Sequence, residues 1–164
     1  MDSAAHWPLW AVALQDSAPA LVIRHSMWIY PAANVVHVLG VALFVGAIVA
    51  YDLRLLGVGR RLITAEAASR WLTPLMVVGF LMIVPAGLTL FTADAGPLAA
   101  NRILQTKLAI VALGVVNAVI FRLAWSGRLK RWDRNTPAAG RLQAALSILI
   151  WLSVPTLGRL IAYL

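Results

Sequence analysis

The chain contains no cysteine, and charged residues make up only 12% of it. Without cysteine it has no disulfides, no iron–sulfur clusters and no thiolate sites for copper or zinc. A soluble domain has about 25% charged residues, so the low fraction argues against a water-soluble fold. Acidic residues are scarcer still, at 6 against 14 lysines and arginines. The basic residues adjoin apolar segments, where membrane topology explains them, and we predict no nucleic-acid partner.

Sequence motifs of common enzyme classes are also missing. The chain has no metalloprotease histidine pair, no phosphate-binding loop, no glycine-rich dinucleotide turn and no nucleophile elbow. Its three histidines are scattered and its four methionines are spread out, which argues against a copper site built from several of either. The sequence therefore favours a protein with no catalytic activity of its own.

What the chain does contain is four apolar stretches, at about residues 32–51, 71–91, 103–121 and 142–163. A helix needs about 20 predominantly apolar residues to cross a hydrocarbon core about 30 Å thick. Short connections force neighbouring spans to run antiparallel. We therefore predict an all-α integral membrane protein with a single domain over residues 1–164, an up-down bundle of four transmembrane helices.

Residues 1–30 precede the first apolar stretch and are not predicted to form a fifth span. Polar residues and a proline interrupt this segment between Gln15 and Pro19, and it lacks the basic start of a signal peptide. We predict short helices at residues 4–14 and 20–25 that lie at the membrane interface. Three tryptophans would anchor them at the headgroup level: Trp7, Trp10 and Trp28.

Basic residues are distributed unevenly between the two ends of the predicted bundle. Ten of the 14 lysines and arginines lie in two connections, at residues 52–70 and 122–141. Loops rich in lysine and arginine stay in the cytoplasm. We therefore predict a protein of the bacterial inner membrane whose basic loops face the cytoplasm and whose two termini face the periplasm.

Two local features are predicted within the first basic connection. Residues 64–69 are helix-prone and would lie on the inner membrane surface before Trp71. Asp52 and Arg54 would form a structural end-cap pair on the cytoplasmic side.

Polar residues within the spans mark a candidate pocket in the periplasmic half. Such residues cost several kcal/mol in hydrocarbon unless they are satisfied, so they face the bundle interior. At 1.5 Å per residue, His37 would lie about 10 Å below the outer end of the first span. Polar residues of the other three spans fall at similar depths, which predicts a basic pocket that takes an anion or an acidic group. The predicted pocket residues are His37, Asn34, Gly40, Thr89, Lys107 and Arg159.

His37 has three interpretations, of which the sharpest is an axial ligand to the iron of a b-type haem. Gly40, one turn further along, would let a flat ring approach the backbone, while Lys107 and Arg159 would pair with the propionates. A second histidine ligand is not evident. His25 would lie about 18 Å away if it continued the same helix, and His6 belongs to the interfacial segment.

The other two interpretations need no metal. His37 and Arg159 could act as hydrogen-bond donors to the head of a quinone or to a small acid. Alternatively, His37 could hydrogen-bond across the bundle and serve only helix packing. Its predicted partners in that case are Thr89, Ser153 and Thr156.

Several short motifs resemble those of a family of small bacterial inner-membrane proteins of unknown function. The resemblance covers nearly the whole chain and implies four helices in an inner membrane. A looser similarity, through a span that opens with His-x-x-Gly, extends to copper-resistance proteins and b-type cytochromes with four helices, although the additional histidines of those proteins are missing here. The motifs are residues 13–17, Trp28-x-Tyr30-Pro31, His37-Val-Leu-Gly40, Asp52-Leu-Arg54-Leu-Leu-Gly57 and Gly158-Arg159-Leu-Ile-Ala162-Tyr163.

The sequence leaves three functions open. The first is an accessory membrane subunit that binds haem or quinone in the predicted pocket and serves a redox or respiratory complex. The second is a structural or assembly protein without a cofactor. The third, transport of a small solute, would require an oligomer because four helices are few for a transporter. In each case the expected partners are the lipid bilayer and either other membrane subunits or further copies of the chain.

Overall fold

The computed structural model describes residues 7–160, and all regular elements in that range are helical. Four of the helices are long and apolar enough to cross a membrane, which confirms the predicted all-α bundle of four spans. The elements are α1 (Leu9–Gln15), α2 (Ala18–His25), α3 (Ile29–Leu56), α4 (Ala65–Ala93), α5 (Ala95–Ala100), α6 (Arg102–Trp125), a 3-10 helix (Ser126–Arg131) and α7 (Ala138–Leu160).

The spanning helices α3, α4 and α6 extend beyond both ends of the predicted apolar stretches, and capping residues mark several of their ends. The Thr64 hydroxyl accepts a hydrogen bond from the Ala67 amide at 3.2 Å, so α4 begins at Ala65, in a segment predicted to lie on the membrane surface. Gly57 ends α3 with a φ of 109°, a left-handed conformation that glycine adopts without strain. The predicted end of the fourth span, at residue 163, lies outside the described residues.

Helices α3 and α4 pack most closely, through two glycines. A Cβ atom on Gly79 would come within 2.7 Å of the Phe44 backbone nitrogen. On the facing helix, a Cβ on Gly40 would lie 3.1 Å from the Gly79 carbonyl oxygen. Small residues that let two backbones approach are the usual basis of helix association in membranes, and here they join the first two spans.

The remaining spanning helices complete an open arrangement rather than a closed square. Helix α3 also packs against α7, and α7 packs against α6. By contrast, no Cα atom of α4 lies within 8 Å of a Cα atom of α6, both helices being fully described. Although α4 and α6 are consecutive spans, they are therefore separated by a gap on one side of the bundle.

Short helices cap the end of the bundle where α3 begins, which we call the N-terminal end. The Gln15 side chain at the end of α1 accepts a hydrogen bond from the Gly96 amide of α5 at 2.9 Å. Trp10 stacks on Phe91 of α4 with ring centroids 6.2 Å apart. Helices α1 and α2 thus confirm the predicted short helices as far as they are described, while residues 1–6 lie outside the described range.

The opposite end, which carries the two basic connections and which we call the basic end, is tied together by buried polar contacts. Arg54, only 4% exposed, forms an ion pair with Asp133 in the connection between α6 and α7. Its Nε also donates to the Ile63 carbonyl oxygen at 2.6 Å. The sequence predicted an end-cap pair of Asp52 and Arg54, but the ion pair of Arg54 instead joins the end of α3 to the distant connection between α6 and α7.

Candidate functional site

A cavity of about 330 Å³ occupies the gap between α4 and α6, in the half of the bundle nearer the basic end. All four spanning helices line it, and we call it the lateral cavity. Its size falls at the lower end of the range for small-molecule sites, about 300–1,000 Å³. Because the Cα atoms of α4 and α6 stay more than 8 Å apart beside it, we infer that the cavity opens sideways between these two helices.

The walls of the lateral cavity are mostly apolar and rich in aromatic rings. Phe44 stands between two of them, with its ring centroid 6.0 Å from that of Phe80 and 4.8 Å from that of Trp151. Tyr51 meets Phe121 edge to face at 6.0 Å, which bridges α3 and α6. Such a lining suits a flat apolar ring.

A cluster of polar side chains stands at the end of the cavity nearer the basic loops. Asp52 is 5% exposed, and Ser147 of α7 lies within hydrogen-bonding reach of its carboxyl group. The second carboxyl oxygen, Oδ2, is buried without a hydrogen-bond partner. Asn117, half-buried on α6, adds a side-chain amide to the same cavity. An unsatisfied carboxyl oxygen inside a membrane bundle is costly, so it marks the position where a donor from a ligand would be favourable.

At the basic end of the lateral cavity, side-chain hydrogen bonds join α6 to α7. The Gln143 amide donates to the Asn117 carbonyl oxygen at 3.0 Å, and its oxygen accepts from Trp125 Nε1 at 2.8 Å. Trp132, 1% exposed, lies beneath this layer and donates through Nε1 to the Leu55 carbonyl oxygen at 3.0 Å. These contacts fix α6 beside α7 and leave the gap on the α4 side.

The residues predicted from the sequence lie in the other half of the bundle, and none of them lines the lateral cavity. His37 is half-buried against α4. Its Nδ1 lies 3.2 Å from the Ile83 carbonyl oxygen, and since a carbonyl can only accept, Nδ1 must donate. A Cβ on Gly87 would lie 3.1 Å from the imidazole Cε1, so the ring rests on that glycine. The cross-helix hydrogen bond agrees with a packing role, with Ile83 rather than the predicted partners.

Three other predicted residues take part in helix structure or face outward. The space beside Gly40 is filled by α4, where a Cβ would lie 2.9 Å from Met82 Cβ, so no ring has room there. The Thr89 hydroxyl donates to the Pro85 carbonyl oxygen of its own helix at 2.9 Å. Asn34 is exposed on α3.

The two predicted cations lie near His37 at the N-terminal end. Lys107 is close enough to affect His37 electrostatically, and its Nζ would lie 3.2 Å from a Cβ on Gly158. Arg159, the next residue of α7, is exposed. Lys107 thus lies against α7 beside Arg159, but neither of the two cavities described here adjoins His37, Lys107 or Arg159, and the basic pocket stays a prediction.

Donation from Nδ1 leaves Nε2 as the His37 nitrogen that would face an iron, and metal-bound histidines commonly donate their other ring N–H to a backbone carbonyl in this way. On the α4 side the imidazole is enclosed by Ile83 and Gly87. His25 ends α2, and residues 26–28 separate it from α3, so the distance expected for a single continuous helix does not apply. Haem ligation stays a prediction that a spectrum can test.

The sequence analysis did not single out Asp52 as a candidate site residue because it lies two residues before Arg54, and opposite charges so close in the sequence suggested a pair. The sequence nevertheless contained a signal that indicates Asp52. Asp52 is the sole carboxylate in the apolar stretch from residue 29 to residue 56, and a lone carboxylate at membrane depth is a functional candidate by default.

Comparisons of the chain with protein-family models, curated proteins and solved structures found no match. The fold and the site define a four-helix membrane protein with a laterally open cavity, and the resemblance to a family of small inner-membrane proteins stays a prediction.

Proposed function

We propose that this protein is a membrane subunit that binds the ring-shaped head of a quinone or quinol in the lateral cavity. The observation that carries the proposal is the buried Asp52 Oδ2, which has no hydrogen-bond partner and stands at the polar end of an aromatic-walled cavity. A quinol hydroxyl would supply the missing donor. The proposal moves the predicted quinone site from the periplasmic half of the bundle to the half nearer the basic loops.

The cavity lining offers hydrogen-bond partners for both the quinol and the quinone form of the head. A quinol donates hydrogen bonds, which the Asp52 carboxyl accepts, while a quinone carbonyl accepts one from the Asn117 side-chain amide. The aromatic walls enclose a flat ring. The gap between α4 and α6 lets an attached isoprenoid tail stay in the hydrocarbon, so the cavity needs to hold only the head.

The cellular setting of this proposal is the bacterial inner membrane, with the cavity in the cytoplasmic half. The excess of lysine and arginine in the two connections of the basic end supports that orientation. Quinone binding requires no catalytic group of the chain's own. We therefore propose an accessory role, in which a redox or respiratory partner carries out electron transfer.

Titration of purified protein with short-tailed quinones tests the proposal. Trp151 lines the cavity, so a bound quinone should quench its fluorescence, and a Trp151→Phe variant identifies that contribution. Asp52→Asn keeps the shape of the side chain but replaces one acceptor oxygen by an amide donor, so a quinol hydroxyl loses its acceptor at that position. An unsatisfied buried hydrogen-bonding group costs about 1–3 kcal/mol, so we expect quinol to bind roughly 5-fold to 100-fold more weakly to this variant.

His37→Leu is the matched control, because it removes a polar group at membrane depth in the other half of the bundle. We expect it to bind quinol as the unchanged protein does. Unaltered binding by Asp52→Asn, or the absence of saturable quenching in folded protein, would contradict the proposal. A b-type haem spectrum that disappears in His37→Leu would instead assign the function to the N-terminal half.

A further inference from the structure

A second, smaller cavity lies at the basic end, away from the lateral cavity. It measures about 100 Å³ and opens beside the end of α3 and the start of α7. We call it the arginine cavity because three arginines line it, together with one carboxylate and one hydroxyl. These polar lining residues are Arg54, Arg60, Arg141, Asp133 and Thr136.

The carboxylate in the arginine cavity is already engaged on both oxygens. Asp133 Oδ1 pairs with Arg54, and Oδ2 accepts a hydrogen bond from the Ala65 amide at 3.2 Å. Within the described residues neither Arg60 nor Arg141 has an acidic partner. Three guanidinium groups therefore face one cavity with a single carboxylate among them, which leaves a local excess of positive charge.

Arg54 gives independent evidence that this cavity favours a hydrogen-bond acceptor from a ligand. Its side chain is 4% exposed, and although Nε and Nη2 are hydrogen-bonded, Nη1 is buried without a partner. A buried cation that lacks one of its hydrogen bonds is costly. An anionic oxygen is the partner that would satisfy it, since guanidinium groups form short charge-assisted hydrogen bonds with phosphate and carboxylate oxygens.

We propose that the arginine cavity binds a phosphate-bearing anion, contacted by Arg54, Arg60 and Arg141. About 100 Å³ is several times the space that one water needs, and it suits a single tetrahedral group better than a ring. The cavity lies where α3 ends and α7 begins, which is the level of lipid headgroups for helices that cross a membrane. The phosphate can come from an anionic lipid or from solution, and the site chemistry is the same for both.

Binding of defined anions to the full chain in detergent tests the proposal. The probes are inorganic phosphate at constant ionic strength and phosphatidylglycerol in mixed micelles, with zwitterionic phosphatidylcholine as the reference lipid. Thermal unfolding followed by tryptophan fluorescence gives the response, and native mass spectrometry counts bound lipid. We expect saturable stabilisation by phosphatidylglycerol, by phosphate, or by both; a response to the lipid alone identifies a headgroup site.

The variants use exposed arginines so that folding is kept. Arg60→Gln with Arg141→Gln removes two cavity groups, while Arg131→Gln with Arg134→Gln removes the same charge from the neighbouring surface outside the cavity. At about 1 kcal/mol per basic residue, the first pair should bind the responding anion at least about 10-fold more weakly than the second. Equal weakening by both pairs would show diffuse surface attraction and overturn the proposal, as would a lack of saturable response to either anion.

Discussion

The two halves of the bundle satisfy their polar groups in different ways. From the middle of the bundle towards the N-terminal end, α3 and α4 meet through glycines, and His37 completes a hydrogen bond to the Ile83 carbonyl oxygen at 3.2 Å. Near the basic end, the helices separate around the lateral cavity, and both Asp52 and Arg54 keep one buried atom without a partner. Tight packing and satisfied groups thus characterise one half, and cavities with unsatisfied charged groups characterise the other.

The comparison separates two indicators of a site: depth in the membrane, which favours His37, and an unsatisfied hydrogen-bonding atom, which favours Asp52. His37 lies deeper in its helix than Asp52 and was the stronger candidate by position. Its ring nevertheless has a backbone partner and a glycine surface beneath it. The carboxyl of Asp52 combines burial, a missing partner and an adjacent cavity, which together leave a place for a ligand.

The largest expected effect comes from breaking the loop contact at the basic end with Asp133→Ala. This change leaves the Arg54 charge buried and the Ala65 amide without its acceptor. Removing one partner of a buried pair costs about 3–5 kcal/mol. Asp133 itself is 33% exposed, so we expect a loss near the lower value, about 3 kcal/mol, in unfolding by SDS in mixed micelles.

Glu66→Ala is the control for that prediction. Glu66 is an exposed carboxylate in the first turn of α4 at the same end of the bundle. Its interaction with the helix dipole is worth about 0.3–1 kcal/mol. A similar small loss for both variants would mean that Arg54 is not held by Asp133 in the membrane protein.

A somewhat smaller effect is expected from Gly79→Ala, which tests the close packing of α3 against α4 at the middle of the bundle. The new Cβ would come within 2.7 Å of the Phe44 backbone nitrogen, so α3 and α4 must move apart. Overpacking of this kind costs about 1–3 kcal/mol. The matched control is Gly46→Ala, because a Cβ there meets nothing within 4 Å. Equal stabilities of the two variants would refute the close contact of α3 and α4.

The smallest effect is expected from His37→Leu. The change removes one cross-helix hydrogen bond but keeps an apolar group against Gly87. Side-chain hydrogen bonds within membrane bundles contribute about 0.6 kcal/mol on average, so the loss of unfolding free energy should stay below about 1 kcal/mol. A loss of several kcal/mol, or of a visible absorption band, would assign His37 a role that its contacts do not indicate.

The sequence predicted the short capping helices and the spans well, but it predicted side-chain partners poorly. The positions of α1 and α2 followed from proline and polar interruptions, which act on neighbouring residues. The partner of Arg54 is 79 residues away in the chain, and that of His37 is 46 residues away. No local pattern distinguishes Asp133 from the other polar residues of its loop, so Asp52 looked like the natural partner.

What the sequence by itself determined is the class of fold, a bundle of four membrane-spanning helices with basic connections at one end. Hydropathy and helix length are properties of single segments. They decide whether a segment can cross a bilayer, whichever helices it later packs against. What only the tertiary structure decided is which helices touch. Contact between α3 and α4 through glycines, and its absence between α4 and α6, places the cavity beside Asp52 rather than His37. That choice depends on the packing of side chains from all four helices, which no single segment encodes.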